Sequence, residues 1–198
     1  MRYTGPKDRL SRREGYDLFN KGAKLTRLNV PPGVHGPRGV PRTSQYGRQL
    51  REKQKVKRMY GLTEKQFKKY VDLAMKTKGN TAGMLFSLLE GRLDNTIYRL
   101  GFAATRTQAR QMVGHGHVLV NDKKVNIASY QVKKGDVIIL GKKAGSIPKV
   151  SQLMKDEDLV IPEWLKRKGG AGKVNRLPIR EDLSEPIQDQ DIIEFYSR

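Results

Sequence analysis

Residues 92–125 decide the fold, and they read RLDNTIYRLGFAATRTQARQMVGHGHVLVNDKKV. Apolar residues follow a helical spacing up to Gly114, after which the spacing changes to the period of two that is typical of strands. The run Thr105-Arg106-Thr107-Gln108 has the form of a capping box and predicts a short helix that stops at Gly114. Asn121-Asp122 between two apolar runs predicts a tight hairpin. This stretch therefore predicts two short helices followed by strands.

Further strands and a helix are predicted on the C-terminal side. The turn residues Lys133-Lys134-Gly135-Asp136 precede an apolar strand, Val137-Ile138-Ile139-Leu140. Helix, helix and several short strands are typical of a compact α+β module. Farther along, residues 149–158 favour a helix, residues 174–179 favour extended chain and residues 192–196 favour a terminal strand.

The preceding residues predict a small helical domain. Residues 45–60 are dense in helix formers and carry six cations beside a thin apolar seam, which indicates a helix with a wide cationic surface. The run Thr63-Glu64-Lys65-Gln66 has capping-box form and opens an amphipathic helix. Residues 80–90 carry another apolar helical face.

The first 45 residues differ in composition from the rest of the chain. They contain five of the nine prolines, and the proline-rich stretch 31–42 excludes helix and central strand, because proline removes a hydrogen-bond donor and fixes φ. Two interpretations stay open: a disordered basic tail, or an arm that orders against RNA.

These patterns divide the chain into four segments. Residues 1–45 are expected to form an extended basic arm, and 46–90 the helical part of an N-terminal domain. Residues 91–158 are expected to form the module of two short helices and a small antiparallel sheet, and 159–198 an extension that packs back on the helical domain. The expected fold class is α+β.

The charge of the chain indicates a polyanionic partner. The 198 residues carry 40 Lys and Arg against 20 Asp and Glu, a net charge of +20. Residues 1–60 hold 16 cations and 4 anions (+12), residues 91–140 hold 8 and 3 (+5), and residues 141–198 hold 11 and 10 (+1). Such an excess repels itself unless a polyanion neutralises it, so nucleic acid is the first candidate and an anionic membrane the second. A membrane partner is disfavoured because no basic helix has a broad apolar face.

Composition also excludes several classes of protein. Because cysteine is absent, there is no disulfide framework, thiolate metal site or cysteine nucleophile. No apolar run approaches the roughly 18 residues of a membrane span, and no signal-peptide core follows the first residues. The sequence predicts a soluble, intracellular protein that is not an obligate homo-oligomer.

The helix predicted at residues 105–113 carries the main candidates for RNA contact. Arg106 and Arg110 lie one turn apart, with Gln111 beside them, while apolar residues face inward. Arg99 precedes this helix and two histidines follow it. Guanidinium groups bind phosphate through paired hydrogen bonds, and rings stack on exposed bases, so this set suits structured RNA. A solvated cationic face is the alternative.

Chemical activity has little support in the sequence. His115 and His117 are spaced as two ligands of one metal ion could be. The third histidine of the chain, His35, is far away in the sequence, and no carboxylate is close in sequence, so no metal site is expected. Asp94 stands in the first turn of a predicted helix, where a carboxylate complements the helix dipole, and this role is favoured over a catalytic one. No nucleophile, acid–base pair or cofactor loop is recognisable. We expect no enzyme activity and no cofactor.

Residues 92–136 resemble the S-four-type RNA-binding module. The matching motifs are RLDN, YRLGFA, ARQ, HGHV, VNIASY and KKGD. Further stretches outside the module resemble the S-four family of bacterial small-subunit ribosomal proteins. These stretches are residues 10–15, 31–36, 46–56, 60–67 and 193–197. The resemblance spans nearly the whole chain.

The resemblance implies a structural component of the small ribosomal subunit in the cytoplasm. It implies a primary binder of the 5′ domain of small-subunit rRNA that nucleates assembly and represses its own message, as many family members do. It also implies contacts with the fifth and third small-subunit proteins and with mRNA near the channel through which mRNA enters. The nearly neutral C-terminal third is the surface expected to face protein neighbours. The residues expected to bind RNA are Arg2, Arg12, Arg13, His35, Arg38, Arg42, Arg48, Arg51, Lys53, Lys55, Lys57, Arg58, Arg99, Arg106, Arg110, Gln111, His115, His117 and Lys123.

One departure from the family concerns zinc. Many members bind zinc through cysteines in the N-terminal segment, where this chain has Ser11 and a cysteine-free stretch at residues 21–30. The chain resembles the zinc-free branch, which implies that packing and RNA hold the arm.

Overall fold

The computed structural model describes residues 3–39, 42–145, 147–155 and 160–197, and it has an α+β fold, which confirms the predicted class. The chain divides into two compact units, Met1–Ala82 with Glu185–Arg198, and Gly83–Ser184. The helices are α1 Lys7–Glu14, α2 Gln45–Met59, α3 Glu64–Lys76, α4 Thr81–Glu90, α5 Leu93–Arg99, α6 Arg106–Gly114, α7 Lys142–Gly145, α8 Pro148–Lys155 and α9 Asp189–Tyr196. The strands are β1 Val118–Val120, β2 Lys123–Lys124, β3 Val137–Leu140, β4 Leu165–Lys168 and β5 Ala171–Val174. Single 3-10 turns occupy Gly22–Lys24, Gly36–Arg38 and Arg180–Asp182.

Helices α2 and α3 form the centre of the first unit. The side chain of Ser44 accepts a hydrogen bond from Gly47 N at 3.2 Å, and that of Thr63 accepts from Gln66 N at 3.4 Å. Each bond satisfies an amide that a helix start leaves unpaired, and Thr63 is the predicted capping residue. The apolar side chains that these helices bury are Val56, Met59, Phe67, Val71 and Ala74.

The C-terminal residues form helix α9 rather than the predicted strand. Residues 192–196 are rich in β-branched and aromatic side chains, which favour strands in isolation. In the structure they pack along α2, where Gln49 Nε2 donates to Glu194 at 2.6 Å and the ring centres of Tyr46 and Phe195 lie 5.6 Å apart. Tertiary packing of an apolar face therefore overrides the local propensity.

The N-terminal segment is less extended than predicted. Helix α1 is capped at its C-terminus by Gly15, whose φ of +62° is the left-handed geometry that glycine adopts readily. Arg12 holds the following loop, since its Nε donates to Val30 O at 2.8 Å and its Nη2 donates to Pro31 O at 3.1 Å. Gly36 packs against the same loop so closely that a Cβ would lie 1.9 Å from Pro31 O. A helix and backbone-directed hydrogen bonds thus order much of a segment that the sequence predicts to be an extended arm.

The second unit packs α5 and α6 against one face of a five-stranded sheet. Neighbouring strands are antiparallel throughout, in the order β2-β1-β3-β5-β4. The predicted hairpin is confirmed, because β1 and β2 pair across Asn121 and Asp122, which both have positive φ. Helices and sheet share one core, whose members include Leu93, Ile97, Met112, Val118, Ile138, Trp164 and Val174.

The sheet extends farther along the chain than predicted. Strands β4 and β5 lie in the segment 159–198, which the sequence predicts to pack on the helical domain. Because β5 pairs with β3, these strands belong to the second unit, and residues 185–198 alone return to the first. The close packing of β5 requires Gly172, where a Cβ would lie 2.4 Å from Leu100 Cδ1.

Helices α7 and α8 follow β3 and precede β4 along the chain. The helix predicted at residues 149–158 is found over Pro148–Lys155, and residues 156–159 lie outside the described chain. The segment after β5 is held by Arg176, whose Nη1 and Nη2 each donate to Asp182 at 2.7 Å.

Candidate nucleic-acid interface

Helix α6 begins at the predicted cap residue Thr105, but the return bond of the capping box comes from Ala104 N rather than from Thr105 N. Thr105 Oγ1 accepts from Gln108 N at 3.2 Å, and Gln108 Oε1 in turn accepts from Ala104 N at 3.1 Å. The inward face of the helix carries buried Ala109 and Met112. The remaining face and the C-terminal turn are therefore left for polar groups.

Glu90 is the centre of an ion-pair network beside α6. Its side chain is 1% exposed and accepts from Arg99 Nε at 2.8 Å and from Arg99 Nη2 at 3.0 Å. Asn95 donates to the same carboxylate at 2.9 Å and accepts from Arg106 Nε at 2.9 Å. The Arg106 guanidinium also lies 4.6 Å from the ring centre of Tyr98, a cation–π distance. Two arginines predicted to bind RNA are thus held by groups of the protein.

Asp94 forms a second ion-pair group at the start of α5. Arg92 donates to its two oxygens at 3.0 and 2.8 Å, and Arg110 Nη1 lies 3.8 Å from it. The carboxylate also accepts from Asn95 N at 2.9 Å. Because Arg92 and Asp94 are both buried, this carboxylate is satisfied inside the protein, as its predicted structural role requires.

The C-terminal turn of α6 and the β1–β2 hairpin carry exposed polar groups. The predicted RNA-binding residues that are exposed or partly exposed here are Gln111, His115, His117 and Lys123. The two imidazole rings lie 6.1 Å apart with a 60° angle between their planes. Lys124 was missed by the sequence analysis. Its side chain packs against Gly116, where a Cβ would lie 2.1 Å from Lys124 Cε. The lysine pair after the Asn121-Asp122 turn is the signal that could have identified it.

The cations of α2 pair within the first unit, which corrects the prediction of a wide cationic surface. Arg51 lies 3.3 Å from the inaccessible carboxylate of Glu14, which also pairs with Arg58. Lys55 Nζ donates to a backbone carbonyl of the C-terminal segment. Arg48 lies 3.5 Å from a carboxylate of α9 but keeps 64% of its side chain exposed. Of these four cations, Arg48 is the one best placed to meet an external anion.

Glu64 holds two more cations of α2. Lys53 and Lys57 lie 2.8 and 2.7 Å from its carboxylate, and Tyr196 Oη donates to it at 2.7 Å. Burial opposes ionisation of Glu64, but hydrogen bonds from Lys53, Lys57 and Tyr196 outweigh it and lower its pKa to about 2. Burial, and next the Glu64 carboxylate, raises the pKa of Tyr196. These contacts fasten α9 to the helical unit.

Two family models match the chain in succession. Residues 2–90 match the ribosomal protein S4/S9 N-terminal domain, and residues 91–138 match the S4 domain. A small ribosomal subunit protein uS4 of Trichlorobacter lovleyi is 50% identical over 210 aligned residues, which cover 100% of this chain and 99% of the relative. The chain belongs to the uS4 family. Proteins of the same name from Natranaerobius thermophilus and Geobacter sulfurreducens are 46% and 50% identical, with the same coverage.

Membership in the uS4 family confirms the predicted resemblance and the predicted class of protein. The family is one of ribosomal proteins rather than enzymes, and the S4 domain is an RNA-binding module. The S4-domain match contains α5, α6, β1 and β2, so it includes the histidine turn and the hairpin. Strands β4 and β5 lie beyond it.

The N-terminal segment of this uS4-family chain exposes part of the predicted set. The exposed members are Arg13, His35, Arg38 and Arg42, while Arg12 is engaged with the loop carbonyls and Arg2 lies outside the described residues. Further exposed cations that the sequence analysis did not single out include Arg9, Lys24 and Arg27. Ser11 Oγ accepts from Leu18 N at 3.4 Å.

Two absences apply to the part of the chain that the structure describes. Residues 3–39, 42–145, 147–155 and 160–197 contain no group of three or more His, Asp and Glu side chains arranged to hold a metal ion. Among the same residues, no helix has both the length and the apolar character needed to span a membrane.

Proposed function

We propose that this chain is a structural component of the small ribosomal subunit that holds rRNA on the C-terminal turn of α6 and the β1–β2 hairpin. The observation that carries the proposal is a set of exposed or partly exposed residues on an S4 domain, namely Gln111, His115, His117, Lys123 and Lys124. These groups project from elements whose backbone is fixed by capping, by a hairpin and by buried ion pairs. Rigid placement lowers the entropy that RNA binding would otherwise cost.

The chemistry of this surface suits structured RNA. Lysine amines bind phosphate oxygens and release counterions, while imidazole rings stack on unpaired bases and donate hydrogen bonds. His115 and His117 are close enough for one base or two neighbouring nucleotides to contact both rings. Binding is therefore expected to weaken steeply with salt and to favour a folded junction with exposed bases.

The arginines of this region have a second role in the proposal. Arg99, Arg106 and Arg110 are held by Glu90, Asn95 and Asp94, so they position α5 and α6 as well as adding positive charge near the surface. Arg106 and Arg110 therefore act on RNA through their positive charge and through the placement of α6. Replacing them therefore changes protein stability and RNA affinity together, whereas replacing the exposed set changes affinity alone.

Two variants test this division of roles. The first carries Gln111→Ala, His115→Ala and Lys123→Ala; the second carries Arg106→Ala and Arg110→Ala. Filter binding to a transcript of the 5′ domain of small-subunit rRNA is expected to show loss of affinity for both. Urea denaturation is expected to show loss of stability for the second variant only. Unchanged affinity of the first variant would remove this turn and hairpin from the interface.

The N-terminal segment supplies the second proposed RNA contact. Arg13, His35, Arg38 and Arg42 are exposed, and the net charge of residues 1–60 is +12. Arg48 adds an exposed guanidinium on α2. The paired cations of α2 contribute mainly through the field of the whole unit.

Membership in the uS4 family supports a proposal about finer aspects of the function. We infer that the chain binds the 5′ domain of rRNA early and nucleates assembly, contacts the fifth and third small-subunit proteins, and approaches mRNA near the channel through which it enters. Repression of its own message belongs to the same proposal. Protection of a defined rRNA junction from cleavage at high magnesium by the purified chain is the expected result. Absence of protection would contradict the primary-binder role.

A further inference from the structure

The outer face of the five-stranded sheet carries a group of lysines that extends beyond the interface described above. Successive side chains of a strand alternate between faces, and residues opposite each other in a ladder share one face. One row across the sheet consists of Lys124, Leu119, Ile139, Ala171 and Lys168. The next row consists of Val137, Lys173 and Lys166. The opposite face is the one that packs on the core, through Val118, Val120, Ile138, Leu165 and Val174.

Within the part of the chain that the structure describes, no acid neutralises the charges on this face. Lys124, Lys166, Lys168 and Lys173 are exposed, and among the described residues none of them has a carboxylate within ion-pair distance. Lys166 stands directly opposite Lys173, an arrangement of like charges that destabilises a sheet. A sheet face that carries such a pair gains stability when an anion binds to it.

We propose that this outer sheet face, defined by Lys124, Lys166, Lys168 and Lys173, binds the phosphate backbone of a base-paired RNA stem. The inference rests on the proposed RNA-binding function and extends it to β4 and β5, which lie outside the S4-domain match. Charge complementarity identifies the partner as a polyanion with closely spaced charges, since three of the lysines lie on two adjacent strands.

The apolar part of the face favours paired over unpaired RNA. Between the lysines lie the partly exposed side chains of Leu119, Val137, Ile139 and Ala171. Sheets that bind single strands stack bases on aromatic rings, and the strand positions of this face carry none. A base-paired stem hides its bases and presents phosphates and 2′-hydroxyls, which lysines recognise without base stacking.

The face is continuous with the interface proposed above. Lys124 belongs to the first row of the sheet, and its side chain crosses Gly116 between the two histidines of the α6 turn. From β2 to β4 the row spans about 19 Å, at about 4.8 Å between strands. One strand of a base-paired stem presents several successive phosphates over this length. A stem that leaves the junction bound at the histidine turn can therefore run across the sheet.

The test uses the full chain and compares Lys166→Gln/Lys168→Gln/Lys173→Gln with a matched triple variant of the first unit. The matched variant, Lys65→Gln/Lys68→Gln/Lys69→Gln, removes three exposed lysines of α3 and the same net charge. Affinity for the 5′-domain transcript and for a plain RNA duplex of about 20 base pairs is measured over a range of KCl concentrations. The logarithm of the binding constant falls linearly with the logarithm of the salt concentration. Each lost phosphate contact makes this slope less steep by about 0.7 to 0.9.

For both RNAs the sheet variant is expected to have a slope that is less steep by about 2 to 3, and an affinity at about 0.1 M KCl that is lower by about 100-fold or more. A slope change equal to that of the α3 variant would show that net charge alone matters and would overturn the proposal. An unchanged RNA slope together with weakened binding of poly-glutamate would assign the face to an acidic protein and overturn it as well. If the unaltered chain fails to bind the 5′-domain transcript, the proposed function itself is wrong.

Folding of the sheet variant is checked by the fluorescence of Trp164, which is buried in the core of this unit. Because Lys166 and Lys173 repel each other, the variant is expected to unfold at the same or a higher urea concentration. A second measurement uses the unaltered chain: acetylation of Lys166, Lys168 and Lys173, read by mass spectrometry, should fall at least severalfold when the duplex is bound. Equal acetylation with and without the duplex would overturn the proposal.

Discussion

Replacement of Glu90 by Gln is expected to destabilise the second unit strongly. Gln has nearly the same volume, so packing is kept while the negative charge is removed. Arg99 then loses a carboxylate that accepts two of its hydrogen bonds, at 2.8 and 3.0 Å. Arg106 loses the negative charge of Glu90, whose Oε1 lies 4.0 Å from Arg106 Nη2. Breaking a buried ion pair by removing one partner costs about 3 to 5 kcal/mol, because the remaining charge stays uncompensated.

The exposure of the arginines sets the size of the effect. The Arg99 and Arg106 side chains are 12% and 14% exposed, so water reaches both guanidinium groups in part. We therefore expect a loss of about 2 to 3 kcal/mol rather than the full value. With a denaturant slope of about 2 kcal/mol per molar urea, the unfolding midpoint should fall by about 1 to 1.5 M.

The chain provides its own probe and control for this experiment. Trp164 is the sole tryptophan and is fully buried in the second unit, so its fluorescence follows the unfolding of that unit. Glu163→Gln removes an acid that is 92% exposed and lies 3.7 Å from Arg176, and such surface pairs contribute less than about 1 kcal/mol. If Glu90→Gln shifts the midpoint no more than Glu163→Gln does, the reasoning about the buried network is refuted.

Three further predictions concern caps, pH and the N-terminal segment. Thr105→Ala removes the hydrogen bond to Gln108 N and should cost about 1 kcal/mol by Trp fluorescence, with Thr105→Ser restoring stability. Because the pKa of Glu64 lies below its usual 4.5, the stability that its carboxylate contributes is complete above pH 4.5 and is lost as the pH falls towards about 2. That group is half exposed, so the loss is about 1 kcal/mol, and circular dichroism of Glu64→Gln should show a flatter acid profile. Arg12→Ala should speed proteolysis in residues 20–39, whereas a metal chelator should leave the rate unchanged; acceleration by the chelator would contradict metal-free anchoring.

Local signals in the sequence were sufficient for the helices and hairpin that carry the candidate interface. The cap at Thr105, the change of period after Gly114 and the turn at Asn121-Asp122 each act within a few residues, and all three appear in the structure. The β4–β5 hairpin has only four residues in each strand and four cations among them, so its apolar pattern is weak. The Gly169-Gly170 pair is the turn signal that could have found it.

The pairing of the cations could not be predicted in the same way. Glu14 reaches Arg58 across 44 residues of sequence, and α9 reaches Gln49 across 145. A run of lysine and arginine gives the same local pattern whether its charges face solvent or distant acids. Sequence reasoning therefore located the charge of the chain correctly but overestimated how much of α2 is available to an external anion.

The split of the first unit between the two ends of the chain has a consequence for the order of folding. Residues 83–184 form one uninterrupted segment, and they can acquire their core as soon as they have been synthesised. The first unit has to wait for α9, whose Tyr196 hydroxyl binds Glu64 across 132 residues. Because domains generally fold as units while the chain emerges, the middle of this protein should mature before its N-terminal part. Helix α9 thus acts as the closing step of the first unit, and a nascent chain lacking it would carry a folded S4 domain and an incomplete helical unit.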